Sequence, residues 1–184
     1  MNEQGHVCPW WLIHTFDNPL RRLMQKPEDI LSGFVKEGQT VMDIGCGMGY
    51  FSLPMARMVG EQGKVIAIDL QEKMLKGLRR RAARHGLDSR IHTHRCSKDA
   101  LEIDAQVDFA LAFWMVHEVP DMLRLFREVR SVLKEDARFL LVEPKLHVSQ
   151  VDFAETVKIA ISAGLKPLAE PQARMSRARL FARA

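Results

Sequence analysis

The sequence predicts an α/β fold built on a mostly parallel, doubly wound sheet, and three observations carry that prediction. From Thr40 onward, short apolar strand-like runs alternate with amphipathic helical segments, the pattern of βαβ units. One run, "VDFALAFW", is apolar nearly throughout, as a strand covered on both faces must be. The turn behind the first run, "DIGCGMG", carries three glycines at alternate positions, where an open α/β sheet receives its ligand.

Each element follows in order. "TVMDI" is a short apolar strand, and "YFSLPMARMVG" a helix closed by Gly60. "KVIAID" is the second strand. "QEKMLKGLRRRAARHG" is a helix with Met74, Leu78 and Ala82 on one face, ended by Gly86. "RIHTHRC" is a weaker third strand and "VDFALAFW" the fourth. "DMLRLFREVRSVLK" has Met122, Leu125, Val129 and Val132 at helical spacing, and "RFLLVE" follows as the fifth strand. A last helix, about residues 151–163, leads past Gly164 to two short strands near "KPLAE" and "ARLFARA", a C-terminal antiparallel hairpin. The alternation in the tail suits an edge strand with outward arginines. Residues 1–39 differ: "CPWWLIHTFDNPLRRLMQKPEDILSGFVKEG" is helical and aromatic with prolines as punctuation. This stretch is expected to form an N-terminal helical cap on the strand ends, with a cofactor-binding core over 40–184 in a single domain.

Composition narrows the class. The chain has 184 residues, 47% hydrophobic and 27% charged, enough for a full core with no hint of disorder. No apolar run approaches the roughly 20 residues that span a bilayer, and "MNEQGHVCPWW" lacks a charged-then-apolar leader pattern. Three widely spaced cysteines without a CxxC pair argue against structural zinc and a disulfide framework, so a cytoplasmic location is expected. A net charge of +4 permits nucleic-acid binding without demanding it.

Three ligands compete for the glycine loop. A phosphate-binding P-loop needs GxxxxGK[ST], and no such lysine follows. A dinucleotide fingerprint needs GxGxxG, but the sixth position from Gly45 is Tyr50, and Asp43 would repel a pyrophosphate. The third ligand, S-adenosylmethionine, carries an ammonium and a cationic sulfur, so Asp43 becomes an attraction, direct or through water. The methionyl carboxylate can meet amides at the helix start. Asp69, twenty residues beyond Gly49 at the end of the second strand, can accept hydrogen bonds from both ribose hydroxyls.

"VMDIGCGMGYFSLPMARMVGEQGKVIAIDLQEKML" resembles the opening half of class I S-adenosylmethionine-dependent methyltransferases, and is similar in pattern to their ubiquinone/menaquinone C-methyltransferase-like, type 11 domains. "VDFALAFWMVHEVPDMLRLFREVRSVLK" resembles that group's fourth strand and following helix, and "FLLVEP" its fifth strand. The resemblance spans about residues 40–144. It implies a Rossmann-like fold, with Asp43, Gly45, Cys46, Gly47 and Gly49 around the methionyl group, Asp69 on the ribose, and Leu70 against the adenine. Phe113 and Trp114 would line the cofactor. Where the family often has an acidic and a small residue after the third strand, this chain has Cys96 and Ser97, so Ser97, backbone groups or Asp99 would have to meet the adenine amino group. "LKEDAR" replaces a common proline–glycine–glycine turn, a surface change away from the site.

Methyl transfer from a sulfonium demands positioning first, and a base only if the acceptor must lose a proton. His117, just behind the fourth strand in "WMVHEV", is the candidate base; the competing reading is a helix-start histidine bonded to backbone. Glu118 reads as a first-turn helix charge; Glu143 ends the fifth strand on the ligand side, where it either faces the acceptor or caps a turn, the cap being preferred. Trp10, Trp11, Phe16, Asp17 and Asn18 belong to the cap, where the tryptophans either wall an apolar pocket or pack in the core. Cys8, Cys46 and Cys96 raise the minor idea of a soft acceptor such as arsenic. Lys73, Lys76, Arg80 and Arg84 stripe one helix, a solvated face before an RNA-binding one. The expected function is therefore a methyltransferase acting on a small, apolar or aromatic acceptor. An RNA or protein methyltransferase using the basic surface, and a non-catalytic cofactor-binding module, are the alternatives.

Overall fold

A computed structural model describes residues 25–184. Its seven strands form one sheet in the order β3-β2-β1-β4-β5-β7-β6: β1 Thr40–Ile44, β2 Lys64–Asp69, β3 Ile91–Arg95, β4 Val107–Phe113, β5 Leu133–Pro144, β6 Leu165–Ala169 and β7 Ser176–Arg183. The first five strands pair in parallel, and β7 runs antiparallel between β5 and β6. Among the described residues, helices α1 Pro27–Leu31, α2 Ser52–Met58, α3 Glu72–Arg84, α4 Met122–Val132 and α5 Gln150–Ser162 accompany the sheet, with a 3₁₀ turn over Val116–Glu118. This is the expected Rossmann-like, mostly parallel sheet with a C-terminal antiparallel hairpin.

Alternation along the strands separates two apolar layers. On one face Val41, Val65, Phe109, Leu111, Leu140 and Val142 meet α1, α2 and α3 through Leu31, Met55 and Leu78. On the other, Met42, Ile44, Ala110, Phe139 and Leu141 meet α4 and α5 through Phe126, Val129, Phe153 and Val157. Helix α3 buries Met74, Leu78 and Ala82 as expected, with Leu75 added. In α4, Leu125, Val129 and Val132 are buried, but Phe126 joins them while Met122 is only half-buried. Helix α5 begins on a reciprocal cap: Ser149 accepts from the Asp152 amide at 3.1 Å while Asp152 accepts from the Ser149 amide.

Two expectations at the sheet's far side are corrected. The tail is not an edge strand: β7 lies between β5 and β6, and β6 forms the edge. Arg177 and Arg179 are half-buried, donating to the Val148 carbonyl and to Glu170. Nor does "LKEDAR" form a turn. Residue Leu133 already pairs with Val107, and pairing resumes at Arg138 with Phe109, so residues 134–137 bulge within β5. Exposed Lys134, Glu135 and Asp136 carry the bulge while Leu133 and Ala137 stay buried, because one side faces solvent and the other the core.

Of the expected cap, residues 1–24, including Cys8, Trp10, Trp11, His14, Phe16, Asp17 and Asn18, lie outside the described residues. Within residues 25–39, Leu31 and Val35 are buried against the sheet and Phe34 stacks on Phe109 with centroids 5.7 Å apart. Among the described residues, no helix is long and apolar enough to cross a membrane.

Candidate functional site

At the carboxyl end of β1 the chain turns through Gly45, Gly47 and Gly49, all with positive φ. Their surroundings assign different duties to the three positions. A side chain at Gly45 would strike Met115 at 2.9 Å, and one at Gly49 would strike Leu78 at 2.3 Å, so these two glycines let protein pack on protein. A Cβ at Gly47 would meet nothing within 4 Å. Gly47 is therefore the glycine that faces open space, the cradle a bound group would fill.

Asp69, at the end of β2, closes on that cradle. Its Oδ2 accepts from the Gly47 amide at 2.9 Å and its Oδ1 from the Gln71 amide at 2.8 Å. Burial raises its pKa; the two amides pull the other way, and the charge of Glu118 pushes it further up. Each carboxylate oxygen keeps a second acceptor direction. Asp43 behaves differently: it is 2% exposed, and its Oδ2 accepts from Ser52 Oγ at 2.5 Å, tying the start of α2 to β1 behind the loop.

The remaining expected cofactor contacts ring the same strand ends. Leu70 is half-buried just past Asp69. Cys46 is buried, its amide donating to Ile68 and its thiol to the Gly47 carbonyl at 3.6 Å. Cys96 is half-buried after β3, with its amide on the Asp69 carbonyl at 3.3 Å. Burial, then the nearby Asp43 and Asp69 charges, raises Cys46 well above an ordinary thiol; burial and Asp69 raise Cys96 to about 11. Both are neutral thiols near neutral pH, a poor start for a soft-metal site. Ser97 is exposed and its hydroxyl accepts from the Ala100 amide at 3.0 Å, closing a local turn.

Past β4, Phe113 and Trp114 form one wall. Phe113 packs on Phe51 at 4.4 Å between centroids and on Trp114 at 5.3 Å. Trp114 has φ 59, a left-handed backbone that is uncommon for so large a side chain. Two hydrogen bonds hold it there: its amide donates to Val142 at 2.8 Å and its indole to Ser176 Oγ at 3.0 Å. The reversal sends Met115 under Gly45 and brings His117 round toward β5.

There the structure corrects the reading of Glu143. Glu143 is 1% exposed and does more than cap a turn: Oε1 accepts from the His117 amide of the 3₁₀ turn at 3.2 Å, and Oε2 meets the His117 ring at Nδ1 at 2.6 Å. His117 is thus bonded through its backbone and its ring to one carboxylate. That hydrogen bond raises its pKa, burial opposes it, and the charges of Glu143 and Glu118 add to the rise. The pairing of Glu143 with His117 is what sequence reasoning missed; the available signal was a carboxylate ending an otherwise apolar strand, which must be paired if buried. The stripe Lys73, Lys76, Arg80 and Arg84 is exposed along α3, away from this pair.

Comparison with known proteins now bears on the arrangement. A family model described as a methyltransferase domain matches residues 35–169. The ubiquinone/menaquinone biosynthesis C-methyltransferase UbiE of Escherichia coli O1:K1 is 32% identical over 110 residues, 59% of this chain and 44% of the relative. The chain thus spans less than half the length of the curated relatives it matches. The crystal structure of a SAM dependent methyltransferase from Aquifex aeolicus superposes with TM-score 0.87 at 25% identity, covering 97% of this chain and all of that one. The geranyl diphosphate C-methyltransferase of Streptomyces coelicolor A3(2) shares the fold at TM-score 0.71 and 16% identity, over 86% of this chain and 78% of that one.

Proposed function

Because the chain belongs to the class I S-adenosylmethionine-dependent methyltransferase family, we propose that it transfers a methyl group to a small acceptor, apolar or aromatic in character. The observation that carries the cofactor end is the open face at Gly47, where an added Cβ meets nothing, beside a carboxylate buried at the end of β2. S-adenosylmethionine supplies an electrophilic methyl group when bound.

The chain's own residues do the rest. Gly45, Cys46, Gly47 and Gly49 would shape the methionyl pocket, with Asp43 supplying negative charge behind it. Asp69 would hold the ribose, Leu70 the adenine face, and Cys96 and Ser97 the adenine edge. Trp114 supports an apolar or aromatic acceptor, since it stays half-buried at the strand end while Phe51 and Phe113 are buried in contact behind it, and an indole face also favours a cation. His117 would take the acceptor's proton. The second reading, transfer to RNA or protein, has the exposed α3 stripe in its favour. Methyl-labelled S-adenosylmethionine incubated with the chain and cell extract, then fractionated into small molecules, RNA and protein, separates the two. Label in the small-molecule fraction is expected; label in RNA that vanishes on reversing the charge of Lys76 and Arg80 would replace the first reading by the second.

A further inference from the structure

Glu143 and His117 form a buried-to-exposed pair whose chemistry goes beyond tying two strand ends together. A carboxylate 1% exposed is costly to bury, and hydrophobic residues would join β4 to β5 at less expense. Both oxygens of Glu143 are instead spent on one residue, the His117 amide and ring. With the carboxylate ionised, Nδ1 must be the donor, so the neutral ring is the Nδ1–H tautomer and its lone pair sits on Nε2. That outer nitrogen has no hydrogen-bond partner among the described residues, and the side chain is 28% exposed at the ligand end of the sheet.

We propose that Glu143 is the positioning residue that makes His117 a general base, and that the acceptor therefore arrives carrying its proton, as a hydroxyl or an activated carbon acid. This rests on the methyl-transfer reading above. The acceptor's electron pair forms the new bond to the methyl carbon while the carbon–sulfur bond breaks and its pair stays on sulfur. The acceptor's proton ends on His117 Nε2 and leaves later to water. The charges around the pair point the same way. Glu118 on the same turn and Glu143 from β5 both bring negative charge to His117, and Glu118 acts on Asp69 as well. Arg177, opposite Glu143 in the β5–β7 register, donates to the Val148 carbonyl, and His147 lies parallel to His117 at 6.3 Å. An acceptor that arrived as an anion, such as a thiolate, would meet repulsion and gain nothing from a base.

The test reads the pair without needing the acceptor's identity. In the full chain labelled with ¹⁵N-histidine, nuclear magnetic resonance should find neutral His117 as the Nδ1–H tautomer, titrating above an ordinary histidine. In Glu143→Gln the titration should move down while S-adenosylmethionine affinity, by calorimetry, stays within about twofold. An Nε2–H tautomer in the wild-type chain, or a titration that ignores Glu143→Gln, overturns the proposal. Labelled transfer into extract should then fall by about 10²–10⁴-fold in His117→Gln and at least about tenfold in Glu143→Gln, with the methyl on oxygen or carbon. Label recovered on sulfur overturns the acceptor class. A wild-type chain that binds no S-adenosylmethionine would instead refute the methyl-transfer reading, while the tautomer measurement still decides the pair.

Discussion

Asp69 shows how a single carboxylate can be both structural and receptive. Its two oxygens already hold the Gly47 and Gln71 amides, so Asp69→Ala removes a support of the loop as well as the ribose partner proposed above. S-adenosylmethionine affinity should fall by about 1.5–3 kcal/mol, the scale of hydrogen bonds to a charged group, as calorimetry would register. The same group sets a pH dependence. Hydroxyl donors need the ionised carboxylate, and burial raises the Asp69 pKa above its ordinary 3.8. Cofactor affinity should therefore decline on acidification at a higher pH than an ordinary carboxylate would dictate, and affinities measured across pH 4–7 check it. Gly47→Ala adds one methyl to the open face on a backbone of φ 53. The left-handed backbone costs about 1–2 kcal/mol of stability, and binding should be lost well beyond that because the methyl occupies the ligand's side.

At the scale of elements, the site depends on where strands end and how they are left. Trp114 leaves β4 in a left-handed conformation, and without that reversal His117 would not reach Glu143 on β5. The bulge over residues 134–137 sits at the opposite end of the same strand pair, where an irregular backbone disturbs no ligand contact. Helix α5 offers a control for stability without function. Its Ser149 cap satisfies a helix-start amide, and Ser149→Ala should cost about 0.5–2 kcal/mol. Thermal melting should show the loss while S-adenosylmethionine affinity is unchanged, because α5 packs through Phe153 and Val157 on the sheet face opposite α2 and α3.

Across the whole molecule, the residues ahead of β1 are tied into the sheet. Gln25 is buried, donates to the Arg174 carbonyl at 3.0 Å, and accepts through its own carbonyl from the Tyr50 hydroxyl at 2.5 Å, so it joins the glycine loop to the hairpin before β7. Leu31 is fully buried. A chain beginning at Val35 loses Leu31 and the Phe34–Phe109 stack. It should be destabilised by about 2–5 kcal/mol, the range for emptying one large core position, with Tm lower on the order of 5–20 °C. The His117–Glu143 pair adds a pH term. A histidine whose folded pKa is raised stabilises fully below its unfolded value of 6.5, and that contribution fades as pH rises through the folded value. Denaturant unfolding of the wild-type chain should show this decline as pH rises from 6.5, and Glu143→Gln should flatten it.

Local chemistry determined most of the architecture. Hydrophobic period, helix-ending glycines and the apolar run of β4 are written in consecutive residues, so the parallel strands, the helices of residues 72–84 and 122–132, and the glycine loop with Asp69 were legible in the sequence. The division of labour within the loop was not, since Gly45 and Gly49 are set by Met115 and Leu78, which reach them from distant elements. Strand order is equally non-local: the tail's alternation marks a strand but cannot say whether β6 will cover its free edge. Glu143 is the sharpest case. Alone it ends a strand, and only the register of β5 beside β4, with the reversal at Trp114, brings its carboxylate to 2.6 Å from His117. Sequence fixes what a residue can donate or accept; tertiary packing decides which partner it meets and whether water is excluded when it does.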